Sequence, residues 1–284
     1  MTGITDAAFI DVHYHAGPDA FVRRHSVLAA GTRYLEAGGW VVLKNHLGCT
    51  AAQAWEARQA GLPVSGSIVL NEIAGGIDRR SVERALCQHG EEAVRLVVHC
   101  PTVTGRKHVS RLHREHSHRI LNERGITACT VTDDAGQLKD SVIEILRMAR
   151  DYPLVISTGH ASRDEVYRLV DAAVRYDTPR LMLNQPANPL TGLRAQELRD
   201  ITSAPMVYVE QTALTYLLGY QDRDDFRAVL AEVPRVVYSS DLGQTSQPDI
   251  SEWLTMSSNW FEEFGLPPKR INDITRANPL ALLT

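Results

Sequence analysis

The sequence predicts an α/β chain folded as a single (β/α)8 barrel, and three observations predict it. Eight short apolar runs recur along the 284 residues. Amphipathic stretches of helical length separate them. Polar residues of metal-ligating type close nearly every run. Strand and helix patterns in alternation argue a parallel sheet, and eight repeats argue its closure. A doubly wound open sheet is the alternative, but no Gly-x-Gly-x-x-Gly follows the first run.

The strands are expected at residues 9–13, 40–44, 64–70, 95–100, 154–158, 180–183, 206–210 and 235–239. Several are nearly continuous apolar runs, as strands covered on both faces must be. Helices are expected at 27–37, 51–60, 79–89, 138–150, 164–175, 195–201, 224–232 and 251–264. Ser162 to Glu165 reads as a capping box that opens the fifth of these. Residues 101–137 are too long for a simple connection and carry His108, His113, His116 and His118 among arginines. One reading is a solvated helix, then a hairpin at 126–130 and a turn at 133–136. The other is a lid over the barrel mouth, because long loops in compact domains are usually functional. No repeat, low-complexity tract or linker interrupts the chain, so residues 1–284 are expected to form one domain.

Composition narrows the function. Hydrophobic residues are 44% and charged residues 23%, ordinary for a soluble globular protein. A net charge of −4 gives nucleic acid no basic surface to bind. Cys49, Cys87, Cys100 and Cys129 form no C-x-x-C pair and read as reduced thiols in a cytoplasmic protein. No secretory signal and no apolar window of membrane length is apparent. Homo-oligomerisation is left open.

In a (β/α)8 barrel the site lies at the C-terminal ends of the strands. The first strand ends in His13-Tyr14-His15. With side chains alternating, both imidazoles point one way, with Asp11 below them. An H-x-H pair is a weak signal alone, and its weight comes from the other strand ends. These carry Lys44 and His46, Asn71, His99 and Cys100, His160, Asn184 and Gln185, Glu210, and Asp241. Imidazole and carboxylate together suit Zn, Fe, Ni or Mn. The expected metal ligands are His13, His15, His160 and Asp241, with His46, His99 and Glu210 completing a second site. Lys44 is expected to hold Glu210 by a charge-assisted hydrogen bond and to act in catalysis. Cys100 reads as a core thiol. Asp19 reads as a turn cap after Pro18. Arg23, Arg24, Arg106 and Lys107 read either as surface charge or as loop cations that meet phosphates.

These residues resemble the amidohydrolase superfamily, with His13-x-His15 on strand one, His160 on strand five and Asp241 on strand eight. The terminal Asn278-Pro279-Leu280-Ala281-Leu282-Leu283 is similar to that superfamily's Asn-Pro-Ala-x-Leu ending. The resemblance implies one or two metals in a distorted barrel that activate water. A narrower branch matches along almost the whole chain. Its marks are His13 to Asp19, Leu43 to His46, Val69 to Asn71, Gly75-Gly76, Pro101-Thr102, Thr158 to His160 and Ser240 to Gln244. That branch includes the nonheme diiron monooxygenase of platensimycin and platencin biosynthesis. It implies two iron ions that use dioxygen to hydroxylate a bulky, diterpenoid-like apolar group carried on coenzyme A. The chain departs from the hydrolases of the superfamily at two positions. Strand four ends in His99-Cys100 rather than a bridging lysine, and strand six ends in Asn184-Gln185 rather than histidine. A hydrolase with Zn or Mn, in which Asp241 is ligand and general base, is the alternative.

Overall fold

The computed structural model describes residues 3–90, 94–107 and 110–284. Its architecture is α/β with two parallel sheets. The first sheet has the order β1 (Phe9–His15), β2 (Gly39–Lys44), β3 (Val64–Ser65). The second runs in sequence order through β4 (Ser67–Val69), β5 (Leu96–His99), β6 (Leu154–Ser157), β7 (Leu181–Leu183), β8 (Val207–Thr212) and β9 (Val236–Ser239). All eight expected strands are present. The run expected at 64–70 is split at Gly66, where a Cβ would collide with the backbone of Ala51.

Helices alternate with the strands: α1 (Val27–Glu36), α2 (Ala51–Gln59), α3 (Arg79–His89), α4 (Arg119–Arg124), α5 (Asp140–Asp151), α6 (Arg163–Arg175), α7 (Ala195–Ile201), α8 (Ala213–Leu217), α9 (Arg223–Glu232), α10 (Ile250–Glu263), α11 (Pro268–Asn272) and α12 (Asn278–Leu283). The capping box that opens α6 forms, with Ser162 N–H donating to Glu165 at 2.8 Å. Among the described residues, no helix is long and apolar enough to cross a membrane.

The segment 101–137 differs from expectation. Its one short helix is α4, and no strand forms at 126–130. The turn at Asp133 does form, and it closes on a single antiparallel bridge between Thr132 and Leu138. His108 lies outside the described residues.

One alternation positions the site. Val42, Val97, Val155, Met182, Tyr208 and Val237 pack into a common apolar cluster with Ile10 and Val12, plugged by Leu282 and Leu283 of α12. Two residues further along each strand, on the same face, lie Lys44, His99, Ser157, Asn184, Glu210 and Ser239. A polar layer therefore sits on an apolar one, toward the C-terminal ends of the strands. β1 joins this layer through a bulge. Asp11 pairs with Val41 and Tyr14 with Leu43, so β1 carries one residue more than β2 over that interval. A bulge reverses which face a side chain takes. Asp11 consequently does not lie below His13. Its carboxylate points to the other side, accepting from Tyr34 Oη at 2.5 Å and from the amides of His13 and Ser240 at 3.0 Å. Those two amide bonds hold the bulge in place and bring the end of β9 beside β1.

Candidate metal centre

His13, His15 and Asp241 converge. His13 Nε2 lies 3.2 Å from His15 Nε2 and 3.0 Å from Asp241 Oδ1. His15 Nε2 lies 3.2 Å from the same carboxylate oxygen. All three residues are buried. Asp241 is delivered by an unusual backbone. It is a non-glycine residue at φ 55°, its N–H donating to the His13 carbonyl at 2.9 Å. Residues held in the left-handed region carry strain and cluster at functional sites.

Each imidazole is oriented from behind. His13 Nδ1 donates to Glu210 Oε1 at 2.8 Å, and His15 Nδ1 to the Lys44 carbonyl at 3.1 Å. Both rings thereby turn Nε2 toward the common point, as metal-ligating histidines do. Glu210 is thus placed behind His13, not among the converging ligand atoms. Its other bonds are from Ser239 Oγ at 2.9 Å and the Gln185 amide at 3.1 Å. Lys44 does not hold it: the Lys44 ammonium donates to Asn184 Oδ1 at 2.8 Å.

The remaining predicted ligands surround this trio. His99 is fully buried, its Nδ1 on Ser157 Oγ at 2.8 Å, and its Nε2 has no hydrogen-bond partner. An orphaned buried nitrogen is costly unless something binds it, so His99 fits a metal ligand. His46 stacks on His15 at 4.7 Å. With His15 and Asp19 it forms a second group whose ligand atoms lie within 4.8 Å of one another. Asp19 is already engaged, however. It accepts from the amides of Ala20 and His46 and from Arg23 Nε, each at 2.7 Å. Asp19 is a brace that joins the loops after β1 and β2. His160 lines the cavity beside these residues but lies outside both converging groups.

Electrostatics agree with this division. Burial would lower the His13 pKa, but Asp241 and Glu210 outweigh it and raise it to about 9. Burial, with Arg23, lowers His15 to about 3. Burial and the Lys44 charge hold His99 and His160 well below the usual histidine range. Burial opposes ionisation of Asp241, yet His13 and His15 hold its carboxyl well below its usual range. A metal requires neutral imidazoles and an ionised carboxylate; His15, His99, His160 and Asp241 hold those forms, and His13 must first lose a proton.

A cavity opens at His15 and Asp241. His15, Lys44, His46, His160 and Asp241 line it from the strand ends. Leu112 and Arg114 reach it from the 101–137 segment, and Leu214, Leu218 and Tyr220 from the region of α8. Arg111 ties the two sides together, its Nη1 on the Leu218 carbonyl at 2.7 Å and its amide on Tyr220 Oη at 2.8 Å. Part of the 101–137 segment therefore borders the cavity. Three of the four candidate phosphate-binding cations have internal partners: Arg23 holds Asp19, Arg24 the carbonyls of Thr245 and Gln247, and Arg106 holds Glu165.

Sequence reasoning read Asp19 as a turn cap, left Arg23 between surface charge and a loop cation, and did not single out Arg114. The Asp19–Arg23 spacing of four residues was the one visible signal.

Residues 8–210 match the model of a family of unknown function, DUF6282, and the chain belongs to that family. Among solved structures the chain is similar to the YdjI aldolase from Escherichia coli K12, at 14% identity and a TM-score of 0.32, over 98% of this chain and 91% of that one. No curated protein matches.

Proposed function

We propose that this protein is an iron-dependent oxygenase on a (β/α)8 barrel. The observation that carries the reading is the buried convergence of His13, His15 and Asp241 beside a cavity. Two histidines and one carboxylate with positions left open are the ligand set of nonheme Fe(II) oxygenases. Closure of the barrel is supported at both seams between the sheets. The β1 end bonds to the segment after β9, through His15 N–H to the Leu242 carbonyl at 2.9 Å. Ser67 Oγ of β4 donates to the Leu43 carbonyl of β2 at 2.6 Å.

His13, His15 and Asp241 would hold one iron, and His99, His46 and His160 supply the neutral imidazoles for a second. Bound iron supplies the dioxygen chemistry that side chains lack. Glu210 fixes the tautomer and aim of His13. Lys44 holds a positive charge at the cavity wall, fixed from behind by Asn184. Leu112, Leu214 and Leu218 keep water from the site and accept an apolar substrate group, while a coenzyme A carrier stays outside the cavity.

The test is anaerobic reconstitution with Fe(II), metal analysis, and turnover of apolar acyl-CoA and free-acid substrates under ¹⁸O-labelled dioxygen. The expected result is about two irons per chain and label in the product from dioxygen. Label from water alone, with zinc retained, establishes the hydrolase reading instead.

A further inference from the structure

We infer that the cavity binds an oxyanion of its substrate between the guanidinium groups of Arg23 and Arg114. This deepens the reading of the cavity as a substrate site and rests on it. The Arg23 side chain is only 1% exposed. Its Nε and Nη2 bind Asp19, but Nη1 is buried and has no hydrogen-bond partner. A desolvated guanidinium nitrogen without an acceptor is the kind of vacancy that a ligand fills. Arg114 lies over the same aromatic ring. Its guanidinium carbon is 4.5 Å from the Phe21 centroid, and that of Arg23 is 5.7 Å away. Among the described residues Arg114 makes no hydrogen bond and no ion pair.

Two like charges at one ring repel each other, and the Asp19 carboxylate answers only one of them. The cavity lining adds Lys44, a third cation, against the single carboxylate of Asp241, which His13 and His15 already engage. Counting Glu210 behind His13, the three carboxylates near these cations are all engaged within the protein, and among the described residues Arg23 Nη1 and Arg114 are left without an acceptor. Planar guanidinium forks match carboxylate and phosphate oxygens in pairs. Leu112, Leu214 and Leu218 in the same lining suit an apolar body attached to that anion. The shared chemistry is an oxyanion: either the substrate's own carboxylate or a phosphate of its carrier.

The experiment is calorimetric titration of the full-length, metal-free protein with benzoate, inorganic phosphate and, as a neutral control, benzyl alcohol. At least one anion should bind and the alcohol should not. Arg114→Gln, an exposed position on the cavity rim, should weaken anion binding at least about tenfold, with the circular dichroism spectrum unchanged. Arg23→Lys keeps a charge for Asp19 and removes the free fork nitrogen, and it should weaken binding as well. Binding of benzoate alone identifies a substrate carboxylate, and binding of phosphate alone identifies a carrier phosphate. Failure of both anions to bind overturns the inference, as do wild-type affinities in both variants or equal binding of benzyl alcohol. Because the readout contains no metal, its failure is distinguishable from failure of the iron reading, which metal analysis decides.

Discussion

Replacing Glu210 with Gln tests whether His13 is a metal ligand aimed from behind. Glu210 is fully buried and accepts three hydrogen bonds. Oε1 takes His13 Nδ1 and Ser239 Oγ, and Oε2 takes the Gln185 amide. A carboxamide has one acceptor oxygen and one NH2 donor. If the oxygen faces His13, the NH2 meets the Gln185 N–H, donor against donor. If the group turns over, the NH2 meets His13 Nδ1 and drives the ring proton to Nε2, where the metal needs a lone pair. Either arrangement leaves a buried donor unmatched, at about 1–3 kcal/mol. Loss of such an outer partner lowers metal affinity by about 10- to 100-fold, equivalent to about 1.4–2.8 kcal/mol. Competition against a chromophoric chelator, with Zn(II) in air and Fe(II) without oxygen, measures it. A folded Glu210→Gln protein that binds metal within about twofold of wild type refutes the arrangement.

Metal binding should also displace protons. His13 titrates at about 9 without metal, so it is protonated at neutral pH and must release about one proton to bind. Affinity should rise with pH until that value is passed. Calorimetry in two buffers of different ionisation enthalpy counts the proton, and a count of zero contradicts the assignment. Lys44→Met removes the buried ammonium on Asn184 and no ligand atom. Metal content should persist while turnover falls, and loss of metal would make Lys44 structural. Gly243 has φ 111°, and a Cβ there would overlap the His15 carbonyl oxygen. Gly243→Ala should therefore cost about 1–3 kcal/mol and lower both Tm and bound metal, whereas an unchanged melt excludes the close approach. Burial pushes the Cys100 thiol up to about 12, whereas Cys87 is exposed. Iodoacetamide under native conditions should label Cys87 first and Cys100 only after unfolding, and peptide mass spectrometry reads the order.

Much of the strand pattern was legible because one rule served every strand. An apolar residue faces inward, and the residue two places on, with the same facing, is polar. Val97 with His99 and Tyr208 with Glu210 can be found this way without coordinates. β1 breaks the rule, because its bulge inserts a residue between Asp11 and Tyr14. Simple alternation put Asp11 beneath His13, and the extra residue turned it away. Gly66 hid a second irregularity, since the run 64–70 is uniformly compatible with a strand. Only the nearby Ala51 backbone makes the break necessary.

The candidate ligands were legible as a set but not in their arrangement around the common point. A strand-end rule states which residues meet, while rank depends on the angle at which neighbouring strands present them. Glu210 and Asp241 look equivalent in sequence, each an acid at the end of an apolar run. In space Glu210 reaches the far nitrogen of His13 and Asp241 the near one, so one carboxylate aims the ring and the other shares its target. Asp19 was misread for the opposite reason. Its position after Pro18 explains a turn without further partners, and the residues that give it a larger role arrive from elsewhere. His46 comes from the loop after β2, and Arg23 completes the brace. The same Arg23, read as either surface charge or a loop cation meeting phosphate, is buried because Asp19 holds it, and that burial leaves its remaining nitrogen facing no acceptor. The electrostatic character of the cavity thus follows from a contact between two loops. Periodicity along one strand carries no trace of it.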